Sequence, residues 1–217
     1  MPELKIIAPN LKEGIDRKQL KNLKDRFLSV NEGRLQRTLE ALGSRHRAFL
    51  HVLPLLLHVN HASLPGYVSP KTPSGVRHFT PDKEHLRAAQ NIARAFNYHP
   101  GKPIEPDILG IYLMGSTGTI AQSDKSDMDF WICHRAELPS QAIAELRKKL
   151  DALSAWADGM GLEAHFFLMD AERFKRGERG DVSGEDCGSA QHYLLLDEFY
   201  RSSLLIAGCA PLWWMVP

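Results

Sequence analysis

The sequence is poor in the signals that mark the commoner nucleotide and metal chemistries. It has three cysteines, Cys133, Cys187 and Cys209, and no CxxC spacing, which excludes a cysteine-rich zinc module and suits reduced, buried thiols in a cytosolic protein. It contains no GxxxxGK[ST] loop and no strand-linked GxGxxG, so P-loop NTPase and dinucleotide oxidoreductase readings fall away. Ten histidines are scattered without an HExxH. His58 and His61 flank an expected helix end, where a surface or capping role outweighs metal binding. The amino terminus carries no hydrophobic signal core, and the longest apolar stretch, around Phe49 to Val59, is broken by His51, Pro54 and His58. No membrane insertion is expected, and the protein reads as soluble and cytoplasmic. A net charge of +1 gives no bulk basic excess for nonspecific nucleic-acid binding. Internal repeats are absent.

What is present is an amino-terminal helical region, 1–105, and an α+β core, 106–217. The chain of 217 residues is long enough for one large or two small domains. Asp16 to Leu28 places Leu20, Leu23, Phe27 and Leu28 on one stripe, and Glu32 to His58 places Leu35, Leu39, Leu42, Phe49, Val52 and Leu56 on a second. Gly43 is a weak point in the second helix, and Pro54 is expected to kink or end it. The many Lys and Arg of the first fifty residues, Arg34 among them, are at helical spacing and read as a solvated face. Residues 60–80 read as a long loop, either a functional cover or a connector. Thr80 is expected to cap a third helix, with Pro81 in its first turn and Leu86, Ala89, Ile92, Ala93 and Phe96 along it.

In the second half, strands are expected near 108–114, 128–133 and 162–169, with a helix from about Ser140 to Asp158. A leucine-rich helix from His192 to Ala207 closes the pattern. The result is a small α+β sheet with helices on one side.

The chemistry concentrates where the first of these strands ends. The apolar run Ile108 to Met114 stops at Gly115-Ser116-Thr117-Gly118. Glycines there let the backbone approach a ligand, while Ser116, Thr117 and free amides can donate to phosphate oxygens. Asp127-Met128-Asp129 follows. In a strand, Asp127 and Asp129 share a face while Met128, Phe130 and Ile132 take the other. Paired carboxylates repel each other, and a cation between them relieves that cost; oxygen-only donors favour Mg2+ or Mn2+. A third carboxylate should come from a neighbouring strand. Glu163 is the first candidate, and Asp170, of opposite parity and at the far end of the strand, is the second. Lys125, between turn and acids, could add positive charge for the phosphates. A small-residue turn followed by two carboxylates at strand spacing points to nucleotidyl transfer.

The Gly115-Ser116 turn, Asp127 through His134, Phe166-Phe167-Leu168, and above all Gly184-Glu185-Asp186-Cys187-Gly188-Ser189-Ala190-Gln191-His192 through Arg201 resemble the class I adenylate cyclases of gammaproteobacteria. Leu53-Pro54, Pro65-Gly66-Tyr67 and Met215-Val216-Pro217 extend the resemblance over nearly the whole chain. It implies a nucleotidyltransferase fold of the DNA polymerase β type and conversion of ATP to 3′,5′-cyclic AMP and pyrophosphate. It also implies that Gly115 and Ser116 hold the triphosphate and that Asp127 and Asp129 bind the metals. The family's enzymes are much longer, so the chain reads as an amino-terminal fragment, with any regulatory protein acting through the missing carboxy-terminal part. In the block at Glu185 to His192, Ser189 fits a helix cap, and Asp186 or His192 is the alternative as a group near the nucleotide. Two other readings share the motif: transfer of AMP to another acceptor, and a noncatalytic nucleotide-binding module.

Overall fold

A computed structural model describes residues 16–99, 105–115, 127–175 and 197–211. Its elements run α1 (Arg17–Ala41), α2 (Ser44–His58), α3 (Lys83–Ile92), β1 (Ile108–Met114), β2 (Met128–His134), α4 (Ser140–Asp158), β3 (Ala164–Asp170), α5 (Ala171–Lys175) and β4 (Leu204–Gly208). A helical stretch over 197–202 precedes β4. The architecture is α+β, with one four-stranded mixed sheet in the order β3-β2-β1-β4. β1 is antiparallel to both β2 and β4, whereas β2 and β3 are parallel and joined through α4.

The inner strands carry apolar side chains on both faces because both faces are covered. Ile111, Leu113, Met128, Phe130 and Ile132 join the larger core with α2, α3 and α4, where Phe49 sits between Phe130 and Trp156. Tyr112, Met114, Trp131 and Cys133 form a second cluster with Phe199, Met169 and Ala171, against which Phe27 of α1 packs. The expectation of helical cover on one side is therefore corrected. A strand apolar at every position, unlike an alternating one, needs cover on both faces.

Three helix expectations are also corrected. α1 runs unbroken through residues 29–31 and stops at Leu42, and Gly43 is the N-cap of α2 rather than a weak point within one helix. Pro54 does not end α2, which continues to His58. Its missing N–H and ring clash cost about 3 kcal/mol in a helix interior, a cost offset by the burial of Phe49, Leu50 and every residue from Val52 to Leu57. α3 starts two residues later than expected because Asp82, not Thr80, is the cap, and it ends at Ile92, short of Ala93 and Phe96.

The largest departure is at the carboxy end. Residues expected to continue a helix to Ala207 instead form β4, and Cys209 follows that strand. A short run such as Leu204-Leu205-Ile206-Ala207 has no period that separates helix from strand. β1 decides the matter by offering a second edge. Gly110 and Gly208 face each other across that pair. A Cβ on Gly208 would lie 2.5 Å from the Leu109 carbonyl, and one on Gly110 would lie 2.7 Å from the Tyr112 ring. The Tyr112 hydroxyl lies over this gap and donates to the Cys209 carbonyl at 2.6 Å.

The segment 60–80 proves to be a packed connector. Ser69 and Thr72 both donate to Glu145 Oε2 of α4, Gly75 N–H donates to the His58 carbonyl, and Val76 bridges to Ile108. Beneath it, Lys149 of α4 is buried with Nζ 3.3 Å from the Val59 carbonyl, and burial pushes its pKa down to about 8.

α1 is fixed to the sheet by a side chain acting as a strand. The amide of buried Asn31 donates to the Leu205 carbonyl and accepts from the Leu205 N–H, both at 2.8 Å. Arg34, half-buried rather than on a solvated face, donates to the Ser202 and Ser203 carbonyls. Asn31→Ala should lower unfolding free energy by about 2 kcal/mol, because it leaves both polar groups of one buried residue unpaired. Urea denaturation measures this, and a loss within error of zero would show that the pair carries no net stability.

Candidate functional site

The parallel pairing of β2 with β3 brings their starts to one edge of the sheet, and the antiparallel pairing of β1 brings its end there too. Met128 N–H donates to the Glu163 carbonyl at 2.9 Å, Asp129 lies opposite His165, and Met114 lies opposite Asp129. Glu163 and His165 reach this edge because α4 ends in a Gly159-Met160-Gly161 turn, with Gly161 at φ +78°.

Asp127, Glu163 and His165 each present a ligand atom, and these atoms lie within 4.8 Å of one another. His165 Nε2 is 3.2 Å from Glu163 Oε1. All three side chains are exposed, whereas Asp129, on the same sheet face as His165, is half-buried. Its carboxyl pKa is raised, chiefly by burial; His165 opposes the shift, and Asp127 and Glu163 add to it. The edge therefore holds three carboxylates in one electrostatic field, two of them within reach of one small cation.

Gly115 begins the turn after β1, directly beyond the residue paired with Asp129. Its φ of +81° lies in the left-handed region, and none of the described residues stands within 4 Å of where a Cβ would be. Ser116, Thr117, Gly118, Lys125 and the block at Glu185 to His192 lie outside the described residues. Asp170 stands at the other end of β3, roughly 23 Å of strand from Glu163. There it caps α5, Oδ1 accepting from the N–H groups of Glu172 and Arg173 at 3.0 and 3.1 Å. Its Oδ1 is thus engaged in a structural role. His165 had no place in the sequence-based expectation, although its position two residues after Glu163 put it on the same strand face.

The family model described as the adenylate cyclase NT domain matches residues 19–214. The chain belongs to this adenylate cyclase N-terminal domain family. Among curated members, the adenylate cyclases of Shigella flexneri and of Escherichia coli K12 are each 40% identical over 200 residues, covering 91% of this chain and 24% of the relative. That of Yersinia pestis is 41% identical over 204 residues, with the same coverage. The chain thus spans about a quarter of the length of these adenylate cyclases. No solved structure matches it. Among the described residues of this family member, no helix is long and apolar enough to cross a membrane.

The Asp129 shift has a testable sign. A raised carboxyl pKa means that the fold favours the protonated form. The ionised group therefore costs stability at neutral pH, and the cost fades as pH falls through the raised value toward 3.8. In metal-free buffer, Asp129→Asn should raise the melting temperature by a few degrees at pH 7, with the gain shrinking toward pH 4. A gain independent of pH would assign the effect to packing.

Proposed function

We propose that the chain carries the nucleotide-binding and metal-binding part of an adenylate cyclase, converting ATP to 3′,5′-cyclic AMP and pyrophosphate on a nucleotidyltransferase-type core. The observation that carries the reading is the convergence of Asp127, Glu163 and Asp129 on one sheet edge beside the left-handed turn at Gly115. The matched relatives named adenylate cyclase support the product. Residues 106–217 would form the core, with 1–105 as its helical support.

The donor set fits a hard divalent ion such as Mg2+ or Mn2+, since two carboxylates lie within a small ion's reach and their charges add to the raised pKa of a third, Asp129. Asp127, Asp129 and Glu163 would hold it, with His165 beside them. When bound there, that ion would lower the pKa of the ribose 3′-hydroxyl, and a second, held by Asp127 and Asp129 with the triphosphate, would neutralise the leaving group. The Gly115 turn, Ser116 and Thr117 would orient the phosphates through backbone and hydroxyl donors, and Lys125 would add positive charge. The 3′-oxygen would then stand in line with the α-phosphorus and the pyrophosphate leaving group.

Calorimetry with ATP and Mg2+, followed by product analysis, tests this. Cyclic AMP formed without an added acceptor supports cyclisation, whereas AMP transferred to an acceptor supports the wider transferase reading. ATP binding indifferent to Mg2+ would favour a noncatalytic module. Asp127→Asn should weaken Mg2+-dependent ATP binding by at least about tenfold. Ser116→Ala should weaken the triphosphate contribution alone, and unchanged ATP affinity in that variant would make the turn structural.

A further inference from the structure

A second cluster of ligand-type side chains lies away from the acidic edge, where α2 meets the start of α3. His51 in α2, and Asp82 and His85 at the cap and third position of α3, each offer a ligand atom, all within 4.8 Å of one another. The two imidazoles stack with centroids 4.4 Å apart and planes 15° from parallel. Glu84 Oε2 is 4.0 Å from His51 Nε2.

Helix capping explains part of this arrangement. Asp82 Oδ1 accepts from the N–H groups of Glu84 and His85 at 2.8 and 2.9 Å, and His85 Nδ1 stands 2.7 Å from the same oxygen. Capping does not explain His51. Its Nε2 is buried and has no hydrogen-bond partner among the described residues, although it faces the acidic first turn of α3. A buried polar atom left unpaired in this way is uncommon and asks for a partner. The positive end of the α3 dipole disfavours a cation here, but Asp82 and Glu84 bring two negative charges to the same turn.

We propose that His51 and His85, with Asp82 and Glu84, form a transition-metal site of the zinc class that clips α2 to the start of α3. Two imidazoles with carboxylates select zinc over Mg2+, the reverse of the oxygen-rich acidic edge. The clip would close the long connector between the two helices and stabilise the helical cover of the sheet.

Zinc titration of the 217-residue chain in excess Mg2+, by calorimetry and by melting temperature, tests the site. One zinc ion should bind per chain, unaffected by Mg2+, and should raise the melting temperature. His51→Gln should weaken binding by at least about tenfold and abolish the zinc-dependent rise, while His99→Gln, at an exposed position outside both clusters, leaves both unchanged. Carbethoxylation of histidines, mapped by mass spectrometry on the unmutated chain, gives a readout independent of any variant's folding: zinc should protect His51 and His85 but not His165. Absence of zinc binding at micromolar concentration, equal binding by His51→Gln, or protection of His165 in place of His51 would overturn the proposal.

Discussion

The pairing of β2 with two neighbours of opposite sense is the constraint on which the rest depends. An antiparallel partner on one side and a parallel partner on the other place the end of β1 and the starts of β2 and β3 at one edge. No loop geometry is needed to collect the acids. Once the ladder forms, Asp129 stands opposite His165, and Glu163 lies one residue before β3 with its carbonyl taking the Met128 N–H. The pairing persists because Phe130 and Ile132 bury into one core and Trp131 and Cys133 into the other. A slip by one residue would exchange these two sets and bury Asp129 where Phe130 now packs.

That pairing also explains how unevenly the sequence could be read. β1 and α4 are bounded by Pro106, Gly115, Pro139 and Gly159, residues whose backbone preferences punctuate a chain locally, and both elements fall where expected. The parity of Asp127, Asp129 and Glu163 was legible for the same kind of reason, since a strand's period of two follows from backbone geometry alone. β4 was not legible. Its apolar run is as compatible with a helix as with a strand, and the choice is made by the open edge of β1, a partner nearly a hundred residues earlier in the chain. The break between α1 and α2 was misplaced for a related reason. Asn31, which looks like a helix-weakening residue in sequence, is held mid-helix by the Leu205 backbone, an interaction that no local window contains.

The histidines show the same limit at the level of sites. His165 carries no motif beyond its alternation with Glu163, and an exposed strand histidine is usually unremarkable. His51 and His85 belong to different helices, and only the packing of α2 on α3 stacks their rings. Motif reading therefore finds side chains that share a strand and misses those that meet through tertiary packing. The cap at Asp82 adds to the difficulty, because the hydrogen bonds that start α3 also orient His85, so one acidic residue serves local structure and the cluster together.

The two clusters differ in what their surroundings do to charge, and the difference follows from burial. At the sheet edge, partial burial and two neighbouring acids make an ionised Asp129 unfavourable in the ion-free fold. An arrangement of this kind does not serve stability, since an amide of the same shape would remove the cost. It does favour binding, because a cation that enters meets carboxylates whose repulsion it relieves, and binding to the folded chain alone shifts the folding equilibrium by mass action. At the α2–α3 junction the same burial acts in the opposite sense on a base, keeping His51 uncharged and its lone pair available. One physical term, the cost of placing charge in a poorly solvated site, thus raises the Asp129 pKa at the sheet edge and lowers that of His51 at the α2–α3 junction.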